Sequence, residues 1–179
     1  MQRYVAFLRG MNLGGRRIKN ENLRRHFEEI GLEEVGTFRA SGNVIFATPK
    51  REAEGKLASR VEAELGKRLD YEVPVYLRSA AEVAAIAAQE PFAAKAVEKS
   101  KGKLQVSLLK KKPSAAAKKK VLALATDEDL LAIEGRELYW LPGGGTLESD
   151  LDLKAIEKLL GADTRRTMGT VKQIALKLS

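Results

Sequence analysis

The order of strand-like and helix-like patterns repeats once along the chain, and this repetition constrains the fold more than any other feature. The strand-like segments of the first half lie at 3–9, 35–40, 43–48 and 73–78. Those of the second half lie at 104–109, 130–134, 137–141 and 164–168. Two helical patterns fit between them in each half, and this βαββαβ order is the split βαβ pattern of ferredoxin-like domains. The sequence therefore predicts an α+β protein with duplicated ferredoxin-like (βαββαβ) subdomains, each with an antiparallel sheet.

The helical segments of the first half each carry one apolar face. Asn20 is predicted to cap a helix that runs to Ile30. The next helix, with Pro49 at a favourable first-turn position, carries a single apolar stripe made of Leu57, Val61, Leu65 and Leu69. Residues that repeat every three or four positions lie on one side of a helix, so these faces are predicted to pack on the first sheet.

Four further helices are predicted after the first half. Ser79 with Glu82 forms a capping-box pattern for a linking helix at 80–89. In the second half, Pro113-Ser114 opens a helix that runs to about residue 125, and Ser149 or Asp150 caps a helix at 151–160. Thr170 with Gln173 forms another capping-box pattern, which predicts an added C-terminal helix.

These elements predict three parts of the chain. Residues 1–78 form the first subdomain, 79–103 a linking helix with a basic loop, and 104–179 the second subdomain with the C-terminal helix. Residues 3–9 are apolar on both alternating faces, as in a strand that is covered on both sides. We therefore expect the helix-free face of the first sheet to be covered, by the other half or by the added helices.

Composition limits the cellular setting. The chain has no cysteine, which excludes disulfides and thiolate metal sites and fits a reducing cytosol. No apolar run approaches the roughly 18–20 residues that are needed to cross a bilayer. We therefore expect a cytoplasmic protein that does not insert in a membrane. The sequence leaves the oligomeric state open.

Positive charge is concentrated in two segments. The formal net charge is +8, yet residues 95–120 alone hold ten lysines and a single acid, Glu98. Residues 9–25 hold six basic residues and one acid, Glu21, so the remainder of the chain is net acidic. Because such segregation favours anionic partners, nucleic-acid contacts are assigned to Lys99, Lys101, Lys103, Lys110, Lys111, Lys112, Lys118, Lys119 and Lys120. The alternative is a solvated lysine-rich surface that keeps the protein soluble.

Base stacking on the sheet is disfavoured. Ferredoxin-like sheets that bind RNA carry several aromatic residues on the open face. The VIFAT strand at 44–48 carries one aromatic residue, Phe46. A nucleic acid is therefore expected to be contacted through its phosphates, with a strong dependence on salt.

A glycine-rich loop joins the first strand to the first helix. It has the sequence GMNLGGRR at 10–17 and follows Arg9. Glycines at such a position allow backbone N–H groups to converge on an anion, and the helix N-terminus and the arginines favour negative charge there. The loop is neither a P-loop nor a GxGxxG dinucleotide loop. The alternative is that the glycines only shape a tight turn.

Three motifs together resemble a known family. FLRGMNLGG at 7–15, SGNVIF at 41–46, and the segment from LYWLPGGG through Ser149 to TRRTMGTV at 164–171 are similar to a bacterial family catalogued as a domain of unknown function, number sixteen ninety-seven. This chain has Asp150 where the family has lysine. It has Thr167, Met168 and Gly169 in place of the polar and aromatic middle of an Arg-Asn-Trp-Asn-Thr-Val-like segment. The resemblance implies two ferredoxin-like subdomains and no established activity.

The motifs and the loop define the candidate ligand or anion-binding positions, which are Arg9, Gly10, Asn12, Gly14, Gly15, Arg16, Arg17, Ser41, Gly42, Asn43 and Arg166. For Ser41-Gly42-Asn43 the alternative is turn chemistry alone, because all three residue types favour turns. For Arg166 the alternative is an ordinary ion-pair arginine.

Nothing in the sequence assigns a catalytic residue, a metal site or a cofactor. The single histidine, His26, lies beside Phe27 on a predicted helix, where a half-buried structural histidine is favoured. No nucleophile-elbow sequence accompanies it. The acidic groups, such as 127–129, lie at predicted turns and helix starts and are interpreted as caps. An enzyme is therefore less favoured than a binding protein.

Three hypotheses of function remain. Binding of a polyanion such as RNA or DNA through the basic segments comes first, because the segregation of charge is visible in the sequence. The second is a small anionic ligand, a nucleotide or phosphorylated metabolite, held where GMNLGGRR, the SGN turn and Arg166 are assumed to converge. The third is a structural or regulatory module that dimerises through a sheet face. The fold alone does not choose among them.

Overall fold

The computed structural model describes residues 1–11, 17–39 and 42–179, and the chain divides into two compact units. The first unit is Met1–Val83 with Leu178–Ser179, and the second is Ala84–Lys177. Each unit contains one four-stranded antiparallel sheet. The predicted α+β fold with two ferredoxin-like sheets is confirmed.

The first unit follows the βαββαβ order. Its elements are β1 (Gln2–Leu8), α1 (Asn20–Glu29), β2 (Glu33–Thr37), β3 (Asn43–Thr48), α2 (Glu54–Leu69) and β4 (Val75–Ser79). The strands lie in the order β2-β3-β1-β4, so each helix connects two parallel strands that are separated by one other strand. This is the strand order of the split βαβ fold.

Both faces of β1 are buried. Tyr4 stacks on Phe46 of β3 with 5.8 Å between the ring centroids, and Phe27 of α1 lies 5.8 Å from the same Phe46 ring. On the opposite face of the strand, Val5 and Phe7 are completely inaccessible to solvent. The expectation that the central strand is covered on both sides is therefore confirmed.

The predicted apolar stripe of α2 forms part of the same core. Leu57, Val61 and Leu65 are fully buried, and Leu69 is partly buried at the end of the helix. The helix itself starts later than the sequence suggests. Residues 49–53 form an irregular connection, so Pro49 lies before α2 and not in its first turn.

The second unit repeats the order with additions. Its elements are α4 (Ala94–Lys99), β5 (Gln105–Leu109), α5 (Ala115–Leu122), β6 (Leu130–Glu134), β7 (Glu137–Leu141), a 3₁₀ turn (Thr146–Glu148), α6 (Leu153–Leu160), β8 (Asp163–Thr167) and α7 (Met168–Leu178). The linking helix α3 (Ala80–Ala88) spans the division between the units. The strand order is β6-β7-β5-β8, as in the first unit. The sequence pattern did not predict α4.

Trp140 lies at the centre of the second core. It is 2% exposed and packs with Val121, Leu138 and Ile156. Its indole Nε1 donates a 2.8 Å hydrogen bond to Oδ1 of buried Asp129. The interpretation of Asp129 as a group that caps a helix end is therefore wrong. A buried indole N–H needs an acceptor, and Asp129 supplies it.

The last strand of each half runs directly into a helix with the same cap. The backbone N–H of Glu82 donates to Oγ of Ser79 at 3.2 Å, and the backbone N–H of Thr170 donates to Oγ1 of Thr167 at 3.2 Å. Each hydroxyl satisfies one of the amides that the first helical turn leaves without a partner. The two strand-to-helix junctions therefore use one local structure.

The similarity extends to the residues on either side. A buried arginine precedes each cap, and Nη1 of Arg78 and of Arg166 donates to the carbonyl of the preceding residue at 2.9 Å. After each cap, a valine and an isoleucine follow at equal spacing, and all four are buried: Val83, Ile86, Val171 and Ile174. Segments 78–87 and 166–175 thus share residue types as well as geometry.

Several predicted caps need correction. The cap of α7 is Thr167 and not Thr170, because β8 continues directly into the helix. The cap of α6 is Asp152, which accepts from the N–H of Ala155 at 3.0 Å, whereas Ser149 accepts from Leu151 in the preceding turn. The predicted cap Ser79 is confirmed, and Ser114, predicted to open α5, is the N-cap of that helix.

In the part of the chain that the structure describes, no helix is both long and apolar enough to cross a bilayer.

We expect Ser79→Ala and Thr167→Val each to lower the free energy of unfolding by about 1 kcal/mol, because each removes the acceptor for a helix-start amide. Chemical denaturation would measure both losses. The control is Lys172→Ala, an exposed substitution on α7 for which a change within about 0.5 kcal/mol is expected. A neutral Thr167→Val would contradict the assignment of the cap.

Candidate anion-binding site at one end of the first sheet

The end of β1, the β2–β3 turn and the start of β4 meet at one end of the first sheet, called here the loop end. The backbone N–H of Leu8 donates to the carbonyl of Gly42 at 2.8 Å. The backbone N–H of Arg9 donates to the carbonyl of Pro74 at 3.1 Å. The chain that leaves β1 is therefore held between the turn and β4.

Gly42 allows the closest approach at the loop end. Its φ is +83°, in the left-handed region that favours glycine. A Cβ at this position would lie 2.8 Å from Cγ of Met11 and 3.1 Å from Cβ of Leu8. Met11 is itself buried. Met11, which follows β1, thus packs directly on Gly42, and the first two sequence motifs are in contact through these residues.

Asn43 has a structural role in the same turn. The residue is completely buried, and its Nδ2 donates to the carbonyl of Phe38 at 2.9 Å. The backbone N–H of Phe38 donates in return to the carbonyl of Asn43 at 2.9 Å. This pair of bonds closes the hairpin, so for Asn43 the described contacts favour turn chemistry over ligand binding.

Arg39 lies at the loop end, and the sequence reasoning missed it. Its φ is +60°, which is uncommon for a residue other than glycine. Its guanidinium Cζ lies 5.3 Å from the centroid of the Phe38 ring, a cation–π contact. Its carbonyl accepts from Nδ2 of Asn20 at 3.5 Å. This hydrogen bond joins the turn to Asn20, the first residue of α1. The prediction that Asn20 caps the helix is wrong, because the N-cap residue is Lys19.

The start of α1 completes the loop end. The N-cap residue is Lys19, and within the described chain no side chain caps this helix. The first amides of a helix are donors that favour an anion, and the helix dipole adds to this preference. Arg17 and Lys19 are exposed immediately before the helix. An anion here would meet backbone donors and cations together.

The described part of the loop end accounts for five of the predicted residues. Gly10 follows β1 with φ +75°, and Arg9 beside it is half-buried. Arg17, Gly42 and Asn43 are placed as above. The predicted positions Asn12, Gly14, Gly15, Arg16 and Ser41 lie outside the described residues.

Arg166 belongs to the second unit, on β8. It is 8% exposed, and its Nη1 donates to Oγ1 of Thr164 at 2.8 Å as well as to its neighbouring carbonyl. Burial lowers the pKa of its guanidinium to about 10, so the group remains charged at neutral pH. Its equivalent in the first unit, Arg78, makes the same backbone bond. The shared geometry favours a structural role at the strand-to-helix junction.

The lysines of residues 95–120 are all exposed, and they lie in separate places on the second unit. One group occupies α4 and the loop that leads into β5, up to Lys103. The other follows β5 from Lys110 and continues on α5 to Lys120. At about 3.3 Å per residue, a strand places Lys103 and Lys110 roughly 23 Å apart. The lysines therefore do not form one short patch.

Acidic groups lie next to the first lysine group. A cavity of about 420 Å³ is lined by Lys99 and Lys101 together with Asp127 and Glu128. A neighbouring cavity of about 430 Å³ is lined by residues 126–129, 143–145 and 148–150. Carboxylates near Lys99 and Lys101 weaken the attraction of this group for a polyanion.

Metal-ligand geometry is absent from residues 1–11, 17–39 and 42–179, where no three acidic or histidine side chains come together as a metal site. His26 lies on α1 and is half-buried. In the described structure, its Nδ1 is buried without a hydrogen-bond partner. Burial lowers the pKa of the ring, and Arg68 and Arg25 act in the same direction, while Glu29 opposes them. A neutral, structural histidine fits these contacts.

The sheets define an α+β protein of two ferredoxin-like units, and the candidate site lies at the loop end of the first unit. The chain belongs to the family described as "Protein of unknown function (DUF1697)", whose model matches residues 1–139. The predicted family membership is confirmed. The looser third motif extends beyond the matched residues.

Comparisons with individual proteins inform the fold. No curated protein matches the chain. Among solved structures, the conserved bacterial protein SP0830 from Streptococcus pneumoniae is similar, with a TM-score of 0.79 and 18% sequence identity. The match covers 99% of this chain and 98% of that protein. At this identity the likeness shows a common fold and carries no activity.

We expect Gly42→Ala to lower the free energy of unfolding by about 2–4 kcal/mol, because an alanine there has an unfavourable φ and also collides with Met11. Gly31→Ala serves as a control for φ alone. Gly31 has φ +98° with no atom within 4 Å of a new Cβ, so a loss of about 1–2 kcal/mol is expected.

Gly36→Ala is the second control, because Gly36 has neither a positive φ nor a close neighbour. Its change is expected to stay within about 0.5 kcal/mol. Urea denaturation of the three variants ranks them. Equal losses for Gly42→Ala and Gly31→Ala would contradict the close packing of Met11 on the turn.

Protonation of His26 is expected to destabilise the fold. Because the folded pKa lies below the ordinary value of 6.5, the unfolded chain binds more protons in this range. Stability should therefore fall as the pH is lowered through about 6.5, and His26→Gln should flatten this dependence. Urea midpoints at several pH values between 7.5 and 5.5 would measure it. Equal slopes for both proteins would show that His26 does not contribute.

Proposed function

We propose that this protein binds a small phosphate-bearing metabolite at the loop end of the first unit, without catalysis. The observation that carries the proposal is the contact of Met11 with Gly42. It brings Met11, the last described residue before the glycines at 14–15, against Gly42 of the SGN motif. Loop convergence was an assumption at the level of sequence, and the described contacts now support it for these two motifs.

Three physical features of the loop end favour a phosphate group. Gly10 and Gly42 have positive φ, a conformation that lets backbone N–H groups turn toward a common point. Helix α1 begins there, and no side chain among the described residues caps it. Arg17, Lys19 and Arg39 add exposed positive charge on either side. Together these features supply donors and charge of the kind that phosphate requires.

The separation of the lysines into two groups makes binding of RNA or DNA less favoured than binding of a small phosphate-bearing ligand. A bound strand would have to pass from one lysine group to the other along the length of β5, and the first group is flanked by Asp127 and Glu128. The loop end, in contrast, gathers backbone donors and arginines within one unit. Concentrated donors suit a compact anion better than a long one.

Isothermal titration with AMP and ribose 5-phosphate should detect binding, because both carry a phosphate that suits the helix start. The double variant Arg17→Ala/Lys19→Ala should weaken it by about tenfold or more, since it removes two cations from that phosphate. The matched control is Lys111→Ala/Lys112→Ala, which removes two exposed lysines of the second unit and should leave affinity unchanged. Equal weakening by both double variants, or no binding of either ligand to the unaltered protein, would refute the proposal.

Binding of RNA or DNA is the second candidate, and the exposure of all ten lysines between 95 and 120 favours it. Fluorescence anisotropy with labelled single- and double-stranded RNA and DNA, at about 50 and 200 mM salt, separates the two functions. Several phosphate contacts would weaken binding by roughly 10³-fold over this range, and Lys111→Ala/Lys112→Ala would reduce the slope. An absence of binding at the lower salt would remove this candidate.

A further inference from the structure

At the loop end, the guanidinium of Arg39 lies over the aromatic ring of Phe38. The guanidinium Cζ of Arg39 lies 5.3 Å from the centroid of the Phe38 ring. Phe38 is half-buried, whereas Arg39 is exposed. A planar guanidinium that lies on an aromatic ring has a second face. In this pair the ring is the inner layer and the guanidinium the more exposed one.

The backbone of this pair is fixed on both sides. The carbonyl and the N–H of Phe38 are both bonded to Asn43 of β3, each at 2.9 Å. The carbonyl of Arg39 accepts from Asn20 of α1 at 3.5 Å. These bonds position Phe38 and Arg39 relative to the sheet and to the helix start. A ligand therefore meets a backbone whose polar groups are already hydrogen-bonded, which reduces the entropy that binding costs.

The backbone conformation of Arg39 is a second, independent observation that favours a role of this residue in ligand binding. A φ of +60° is uncommon in a residue other than glycine or asparagine and strains the backbone. Such conformations persist where the surroundings hold them, and they concentrate at ligand sites. Glycine would remove this strain from the turn. The arginine side chain thus sits where the backbone would favour another residue.

We propose that the Phe38–Arg39 pair is a stacking platform for a nucleobase, so that the ligand of the loop end is a nucleotide. The inference rests on the proposed phosphate site and adds the class of ligand. The base would stack on the guanidinium of Arg39, as bases do on arginine planes in other proteins. Its phosphate would reach the start of α1, beside which the bond from Asn20 holds Arg39.

Charge and stacking can be separated at Arg39. Lysine keeps the positive charge but lacks the planar group that stacks on a ring or a base. Arg39→Lys therefore removes stacking and keeps attraction for phosphate. Phe38→Leu removes the ring beneath the guanidinium and leaves Arg39 in place. Circular dichroism melting curves establish that both variants are folded.

Isothermal titration of the full chain with AMP, UMP and ribose 5-phosphate tests the platform, because AMP and UMP add a base to the ribose phosphate. We expect both nucleotides to bind at least about tenfold more tightly than ribose 5-phosphate, as stacking of one base provides. Arg39→Lys and Phe38→Leu should each reduce this preference by about tenfold. The readout is the ratio of nucleotide affinity to ribose 5-phosphate affinity, in which a change of phosphate attraction common to all three ligands cancels.

The outcomes distinguish the two levels of the proposal. Equal affinity for the nucleotides and for ribose 5-phosphate would overturn the platform and leave the phosphate site standing. The same would follow if Arg39→Lys weakened all three ligands alike, because Arg39 would then act only as a charge. If none of the three ligands binds, the phosphate site and the platform are overturned together.

Discussion

The close approach of the chain to Gly42 is the constraint on which the loop end depends. With any side chain at this position, Met11 and Leu8 would have to move. Met11 would then lose its packing against the β2–β3 turn. The hydrogen bond from Leu8 to Gly42 and the bond from Asn20 to Arg39 hold the two sides of this arrangement. The backbone conformation of Gly42 thus allows the contact between the end of β1 and the β2–β3 turn, and the bond from Asn20 joins that turn to the start of α1.

The glycine-rich loop of the second unit shows why glycine content alone does not identify a ligand site. Ser100 Oγ donates to the carbonyl of Pro142, and the N–H of Lys101 donates to the carbonyl of Gly143 at 3.2 Å. A Cβ on Gly102 would lie 2.7 Å from Cγ of Pro142. Close packing of the chain on itself therefore accounts for Gly102 and Gly143. At the loop end of the first unit, the glycines instead adjoin exposed cations and a helix start that no side chain of residues 1–11, 17–39 and 42–179 caps.

The sequence was sufficient to predict the repeated fold, because alternation and helical spacing report directly on burial. Leu57, Val61 and Leu65 are the clearest example. It was insufficient where an exact boundary decides the role of a residue. Thr170 has a capping-box pattern, yet the direct passage of β8 into α7 makes Thr167 the cap. The sequence did not predict a role for Arg39, because neither its positive φ nor its contact with Phe38 can be inferred from residue spacing or amino-acid composition.

Amide chemical-shift mapping during titration with AMP tests the central claim most directly, because it reports where the ligand lies as well as whether it binds. The structure predicts that the largest shifts fall on Gly10, Arg17, Lys19, Arg39 and Gly42, with little change between Lys99 and Lys120. Shifts concentrated among those lysines, or spread evenly over both units, would contradict a binding site at the loop end.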